Sequence, residues 1–231
     1  RTIGASSEEA QALNYLGSAL AFLGNYGGGI ERLRAAVRIA CETGSRARGL
    51  AQYENLSEAL SETGQLEHAR DVAAEGIAAA QEVGLQRSYG LVLMGRGALC
   101  ALALGRTAEA GELTSAALEL GEQTFFAFNV LEARVRYELL RGEFDAAERY
   151  LAAADAMAAR VGDPMWTGPV AAVRAELEIW RGQAQRAAEI VRALEVGPER
   201  QCLQHTSELH AVGTRAIAEL AVAARARHQD S

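Results

Sequence analysis

The chain has 231 residues, 49% hydrophobic and 23% charged, with 23 basic against 30 acidic side chains and a formal net charge of −7. This balance suits a globular chain of one or two domains. The acidic excess opposes a role in gripping nucleic-acid phosphates, which is work for cationic side chains. With three prolines and 6% aromatics the sequence is not collagen-like, mucin-like or prion-like. Ala fills 48 positions and Lys none, so every basic residue is Arg. Both Ala and Arg favour helix, and an all-α chain is expected.

The expected helices run over 7–23, 27–43, 46–63, 66–83, 87–104, 107–120, 124–141, 144–161, 165–181, 184–196 and 203–227, and no segment alternates like a strand. Ser6 with Glu9 three residues later has the form of a capping box before the first helix. Gly24, Gly64, Gly105, Gly142 and Gly182 follow helical stretches at spacings of 40, 41, 37 and 40 residues. Five residues after each comes Gly29, Ala69, Ala110, Ala147 or Ala187, all small, and twelve after the first four come Ala36, Gly76, Ala117 and Ala154. A second set, Gly44, Gly84, Gly121, Gly162 and Gly197, closes each unit. Glycine at a helix C-cap can turn left-handed at no steric cost, and small residues let two helix axes approach. The pattern therefore predicts antiparallel helical hairpins over 7–44, 46–84, 87–121, 124–162 and 165–197, with a last helix 203–227 that either caps the final hairpin or begins a further unit. Pro164, Pro169 and Pro198 are expected at turns or first helical positions.

This pattern resembles the tetratricopeptide repeat (TPR), most clearly over Tyr53-Glu54-Asn55-Leu56-Ser57-Glu58-Ala59-Leu60-Ser61-Glu62-Thr63-Gly64-Gln65-Leu66-Glu67-His68-Ala69. Val135 and Glu138 depart from it, and the unit is near 40 residues where the standard repeat has about 34. The resemblance implies a right-handed all-α solenoid, one TPR-like domain over 1–231. The longer unit, with Glu54-Asn55-Leu56, Gly64, Gly84, Leu104-Gly105-Arg106 and Ala110, is similar to the helical-repeat region of large ATP-dependent LuxR-type (MalT-like) bacterial transcriptional regulators. That implies a non-catalytic sensor or interaction arm binding a protein, a peptide segment or a small-molecule inducer, with self-association under its control. The Lys-free, Ala- and Arg-rich composition suits a high-GC bacterial genome. A stand-alone scaffold holding a peptide of a partner protein is the alternative.

The chemistry-bearing residues form no catalytic pattern. Cys41, Cys100 and Cys202 are far apart with no C-x-x-C, which suits reduced thiols in the cytoplasm. His68, His205, His210 and His228 include no i, i+4 pair, so no metal is expected. Gly24-Asn25-Tyr26-Gly27-Gly28-Gly29 lacks the Lys and Ser/Thr of a phosphate loop, and no nucleophile motif occurs. No enzyme activity and no cofactor are expected. No stretch reaches the roughly 18 apolar residues that span a bilayer, and the best, Tyr89 to Gly105, is broken by Arg96. The first residue is Arg1, and we expect a piece of a longer cytoplasmic protein with neither nucleic-acid nor membrane binding of its own.

In stacked hairpins the first helix of each pair lines a binding groove. The TPR register, counted back from each turn glycine, places there Gln11, Asn14, Ser18 and Phe22 in unit one and Glu54, Glu58, Ser61 and Glu62 in unit two. Unit three contributes Val92, Leu99 and Leu102, unit four Asn129, Glu132, Arg136 and Leu139, and unit five Glu176, Ile179 and Trp180. Glu54, Glu58 and Glu62 share one helix face and repel one another by a few tenths of a kcal/mol per pair. Such a stripe is either a solvated face or the seat of a basic partner. Leu99 and Leu102 read as a mid-groove apolar pocket or as plain burial. Phe125, Phe126 and Phe128 read as core, or as a hydrophobic edge. Arg134, Arg136 and Arg141 are expected to pair with Glu132 and Glu138 beside them.

Overall fold

In the computed structural model the described residues are 3–44, 46–121, 124–194 and 203–229. Eleven α-helices form there and no strand does: α1 (Ile3–Phe22), α2 (Tyr26–Glu42), α3 (Arg46–Glu62), α4 (Leu66–Glu82), α5 (Leu91–Ala103), α6 (Thr107–Leu120), α7 (Phe128–Arg141), α8 (Phe144–Val161), α9 (Pro164–Trp180), α10 (Ala184–Ala193) and α11 (Leu203–Gln229). The chain divides into two compact units, 1–134 and 135–231, the division falling within α7.

The turn glycines do what their spacing implied. At Gly64 φ is +74°, its N–H bonds to the Ser61 carbonyl at 2.9 Å, and Gln65 N–H bonds back to Leu60 O at 2.9 Å. These bonds satisfy carbonyls that the helix end would leave open. The closing bond recurs from Asn25 to Leu20, Leu85 to Ala80, Arg106 to Ala101, Glu143 to Glu138 and Gln183 to Glu178. Gly121 differs: its backbone is extended (φ 160°, ψ 109°), and the chain enters α7 through a 3-10 turn at Phe125–Ala127. Similarly, a wide π turn at Gln86–Gly90 leads into α5, which starts later than the expected position 87. Gly197 and Pro198 lie outside the described residues.

Within the first unit α1 packs on α2, α3 on α4 and α5 on α6, and each hairpin packs on the next. All nine small residues of the repeat pattern are buried. A close approach joins Gly17 of α1 and Gly29 of α2, where a Cβ on Gly29 would lie 2.7 Å from Gly17 O. The buried Ser57 hydroxyl donates to Ala69 O across the α3–α4 contact at 2.8 Å. Leu33, Leu56, Leu60 and Cys100 share one core, and Leu50, Tyr53 and Leu93 another. In the second unit α9 packs on α8 and α10, and α11 lies on α9 and α10 through Leu209 and Ala216. The last helix therefore covers the final hairpin.

Two local expectations are corrected. Helix α1 already runs at Ile3, so Ser6 is a buried residue inside it and not a cap; nothing in Ile3-Gly4-Ala5 forbids helix, so the chain continues it N-terminally past the serine. Pro169 lies inside α9, not at a boundary. Gly168 precedes it, and a residue without Cβ removes one of the clashes that a proline ring makes with its predecessor. The true start of α9 is at Pro164, where Asp163 Oδ1 accepts from Met165 N–H at 2.9 Å.

Candidate functional site

The first helices of the repeats carry the surface residues with the most unusual electrostatics. In the first unit the centre is Arg96 of α5, whose Nη2 lies 2.9 Å from Glu58 Oε1 of α3. The arginine side chain is 17% exposed and the Glu58 side chain 27%. Burial weakens the arginine's charge, but the fields of Glu58, Glu54 and Glu132 outweigh it and hold it protonated. Burial also pushes the Glu54 carboxyl above the ordinary carboxylate range; Arg96 pulls it back and Glu58 raises it again. Arg96 Nε is buried without a hydrogen-bond partner. The Arg96 guanidinium thus lies in the fields of Glu58, Glu54 and Glu132 together. The repulsion between Glu54 and Glu58 is partly offset by Arg96, which the sequence showed only as a break in an apolar run. Glu62 lies at the end of α3 and is exposed.

Of the other unit-one residues, Asn14 is buried and its Oδ1 accepts from Asn55 Nδ2 at 3.1 Å. Ser18 is half-buried and its Oγ is buried without a hydrogen-bond partner. Phe22 is 57% exposed. Gln11 is exposed and its amide donates to Tyr15 Oη. Leu99 and Leu102 are half-buried against Ala98, Ala101, Ala110 and Ala133. Asn129 is half-buried where α5 and α7 meet at Gly95, and Glu132 and Val92 are half-buried.

In the second unit Arg136 of α7 lies 3.6 Å from Glu176 of α9 and 2.5 Å from Glu208 of α11. Trp180 is 44% exposed, with the Arg215 guanidinium 5.5 Å above its ring. Leu139 and Ile179 are buried in the core. Arg134 bonds to Thr114 and Ser115, and Arg141 to Tyr137. Arg136 thus reaches carboxylates on α9 and α11 as well as lying beside Glu132 and Glu138 on its own helix. Phe128 is core, whereas Phe125 and Phe126 are 44% and 41% exposed, so the aromatic run divides between core and edge.

Among the described residues no three His, Cys, Asp or Glu side chains come together as metal ligands. Burial pushes the Cys100 thiol up, which makes it a poor nucleophile. Among the described residues no helix is long and apolar enough to cross a membrane.

This is the architecture of a TPR-like helical-repeat protein. Among solved structures the chain is similar to TTC0263, a thermophilic TPR protein of Thermus thermophilus, at 16% identity and TM-score 0.63 over 91% of this chain and 98% of that one. It is similar to the apo form of RapI at 12% identity and TM-score 0.63, over 92% and 84% of the two chains. It also resembles a Podospora anserina putative kinesin light chain with nearly identical TPR-like repeats, at 19% identity and TM-score 0.59 over 85% and 98%. Identities this low establish the fold alone. No protein-family model matches the sequence, and no curated protein does.

Proposed function

We propose that the chain is a non-catalytic recognition module that takes up a segment of a partner protein along its first helices, and that the cluster around Arg96 selects a cationic residue of that segment. The observation that supports this reading is that Glu54 and Glu58 of α3 face one arginine of α5, with the Glu54 carboxyl drawn toward its charged form by Arg96 against its burial. A second guanidinium or ammonium entering there would bond to Glu54 and Glu58, and charge-assisted bonds of this kind are about twice as strong as neutral ones. The remaining first-helix residues of the first unit, Asn14, Ser18, Phe22, Glu62, Leu99, Leu102 and Asn129, would flank the segment, and Arg136, Glu176 and Trp180 are proposed as binding residues of the second unit. Treating 1–231 as one binding domain is part of this proposal.

The probe is a fluorescent alanine peptide carrying spaced arginines, beside its glutamine analogue. Binding of the arginine peptide at least about tenfold tighter, a difference of about 1.4 kcal/mol, and its loss in the Glu54→Gln, Glu132→Gln double variant, would support the reading. Equal affinity for both peptides would refute it. A small-molecule inducer would be a different occupant of the same surface. The wider setting, a sensor arm in a cytoplasmic LuxR-type bacterial regulator, draws on the resemblance of 54–110. There, occupancy would bias the assembly equilibrium by favouring one state. A nucleotide-binding core encoded upstream and a helix-turn-helix downstream would support that setting, and their absence would leave a stand-alone adaptor.

A further inference from the structure

One position of the repeat lies in the seam between neighbouring hairpins. Ten residues before the turn glycine stand Asn14, Glu54 and Gly95 in the first three repeats. Each faces the first helix of the next hairpin. Asn14 accepts from Asn55 of α3, Glu54 lies in the field of Arg96 of α5, and a Cβ on Gly95 would meet the α7 backbone at Val130. Asn14 and Gly95 are buried and Glu54 is half-buried, so the second repeat places an ionisable group where its neighbours place an amide or no side chain. Arg96 stands nine residues before its turn glycine, the position that Asn55 holds one repeat earlier. Its bond goes elsewhere: Nη2 meets Glu58 at 2.9 Å, one helical turn along α3. Among the described residues no hydrogen bond or ion pair reaches the Glu54 carboxyl itself.

A carboxyl in that seam is pulled between its two protonation states. Burial is the largest influence and favours the neutral acid; Arg96 favours the anion, and the like charge of Glu58 opposes it. Of the elements packed on α3, α5 supplies Arg96, and the described residues of α1, α2, α4 and the turn at Gln86–Gly90 add no charge that reaches Glu54. Glu132 of α7 acts on Arg96 instead.

We propose that Glu54 couples occupancy of this site to the release of a proton, so that a cationic segment binds more tightly as pH rises. The inference rests on the recognition reading above and adds its regulation. A guanidinium that reaches Glu54 gives it the bond that Arg96 gives to Glu58. That bond stabilises the anion, so the carboxyl holds its proton less firmly in the complex than in the free chain. Between the bound and the free values a proton leaves on binding. Affinity is therefore full above the free-chain value, which burial holds above the ordinary carboxylate range, and it falls as pH drops through that value. An arginine on the partner keeps its charge throughout, so the dependence belongs to this chain.

Binding of the arginine-bearing alanine peptide to the parent and to Glu54→Gln, from neutral pH down to the ordinary carboxylate range, tests the coupling. Circular dichroism at each pH checks that both stay folded. For the parent the expected Kd weakens by up to about tenfold per pH unit, the slope for one proton. Glu54→Gln, which mimics the neutral acid, should bind with the parent's acid-end affinity and lack that slope. Calorimetry in buffers of different ionisation enthalpy should register proton release on binding to the parent and none on binding to the variant. A parent that binds equally well at every pH, or an equal slope in Glu54→Gln, would overturn the proposal and leave the recognition reading standing. Equal affinity for the arginine peptide and its glutamine analogue at neutral pH would end that reading, and this one with it.

Discussion

Gly95 is where α5 and α7 come closest. A Cβ built there would lie 2.5 Å from the backbone N of Val130 and 2.6 Å from the carbonyl carbon of Asn129. These are main-chain atoms, so no side chain can swing away, and the helices must separate. Gly95→Ala therefore sits at the costly end of overpacking, about 3 kcal/mol. Alanine returns about 1 kcal/mol of helix propensity, which leaves a net destabilisation of about 2 kcal/mol. For a chain of this length the melting temperature should fall by about 4–8 °C. Gly27→Ala is the control: it sits in the first turn of α2 with nothing within 4 Å of the added carbon, and should raise stability by up to about 1 kcal/mol. Thermal unfolding followed by circular dichroism reads both. If Gly95→Ala proves as stable as the parent, the close contact of α5 and α7 is wrong.

Other expectations follow from the Arg96 cluster. Since burial raises the folded-state pKa of Glu54 above its unfolded value, the folded chain binds more protons in that window and stability falls as pH rises through it. Glu54→Gln should therefore melt higher than the parent at pH 7, with the advantage shrinking as pH drops into the carboxylate range; a pH series of melting curves checks the sign. Arg96→Met leaves the part-buried Glu58 without its ion-pair partner and should cost about 3 kcal/mol, read by denaturant titration. Glu58→Gln added to it should recover part of that loss, and a purely additive double variant would mean that the ion pair is not coupled.

The helices and their pairing were legible because the turn glycines and small residues are local: a left-handed turn or a close axis contact leaves its mark at one position. Where that logic lapses, at Gln86–Gly90 and Phe125–Ala127, the chain enters the next helix through a π or 3-10 turn, and no single residue type announces either. Arg96 was missed for another reason. It sits in an apolar run, and its partner Glu58 is 38 residues away. Yet Asn55–Asn14 are 41 apart and Arg106–Glu67 39 apart, and Arg136–Glu176 are likewise one repeat apart. Opposite charges separated by one repeat period are thus a signal present in the sequence, once the period is used to look sideways between hairpins as well as along each helix. The exposure of Tyr15 and Phe22 was not legible, because apolar spacing alone does not say whether a neighbour stands on that face.

The most direct test of the recognition account is an unbiased peptide selection on the immobilised chain, run in parallel on the Glu54→Gln, Glu132→Gln double variant. The account predicts that peptides selected on the parent carry Arg or Lys at one fixed position and that the preference disappears on the variant. Selected peptides with no basic position, or the same basic preference on both proteins, would contradict it.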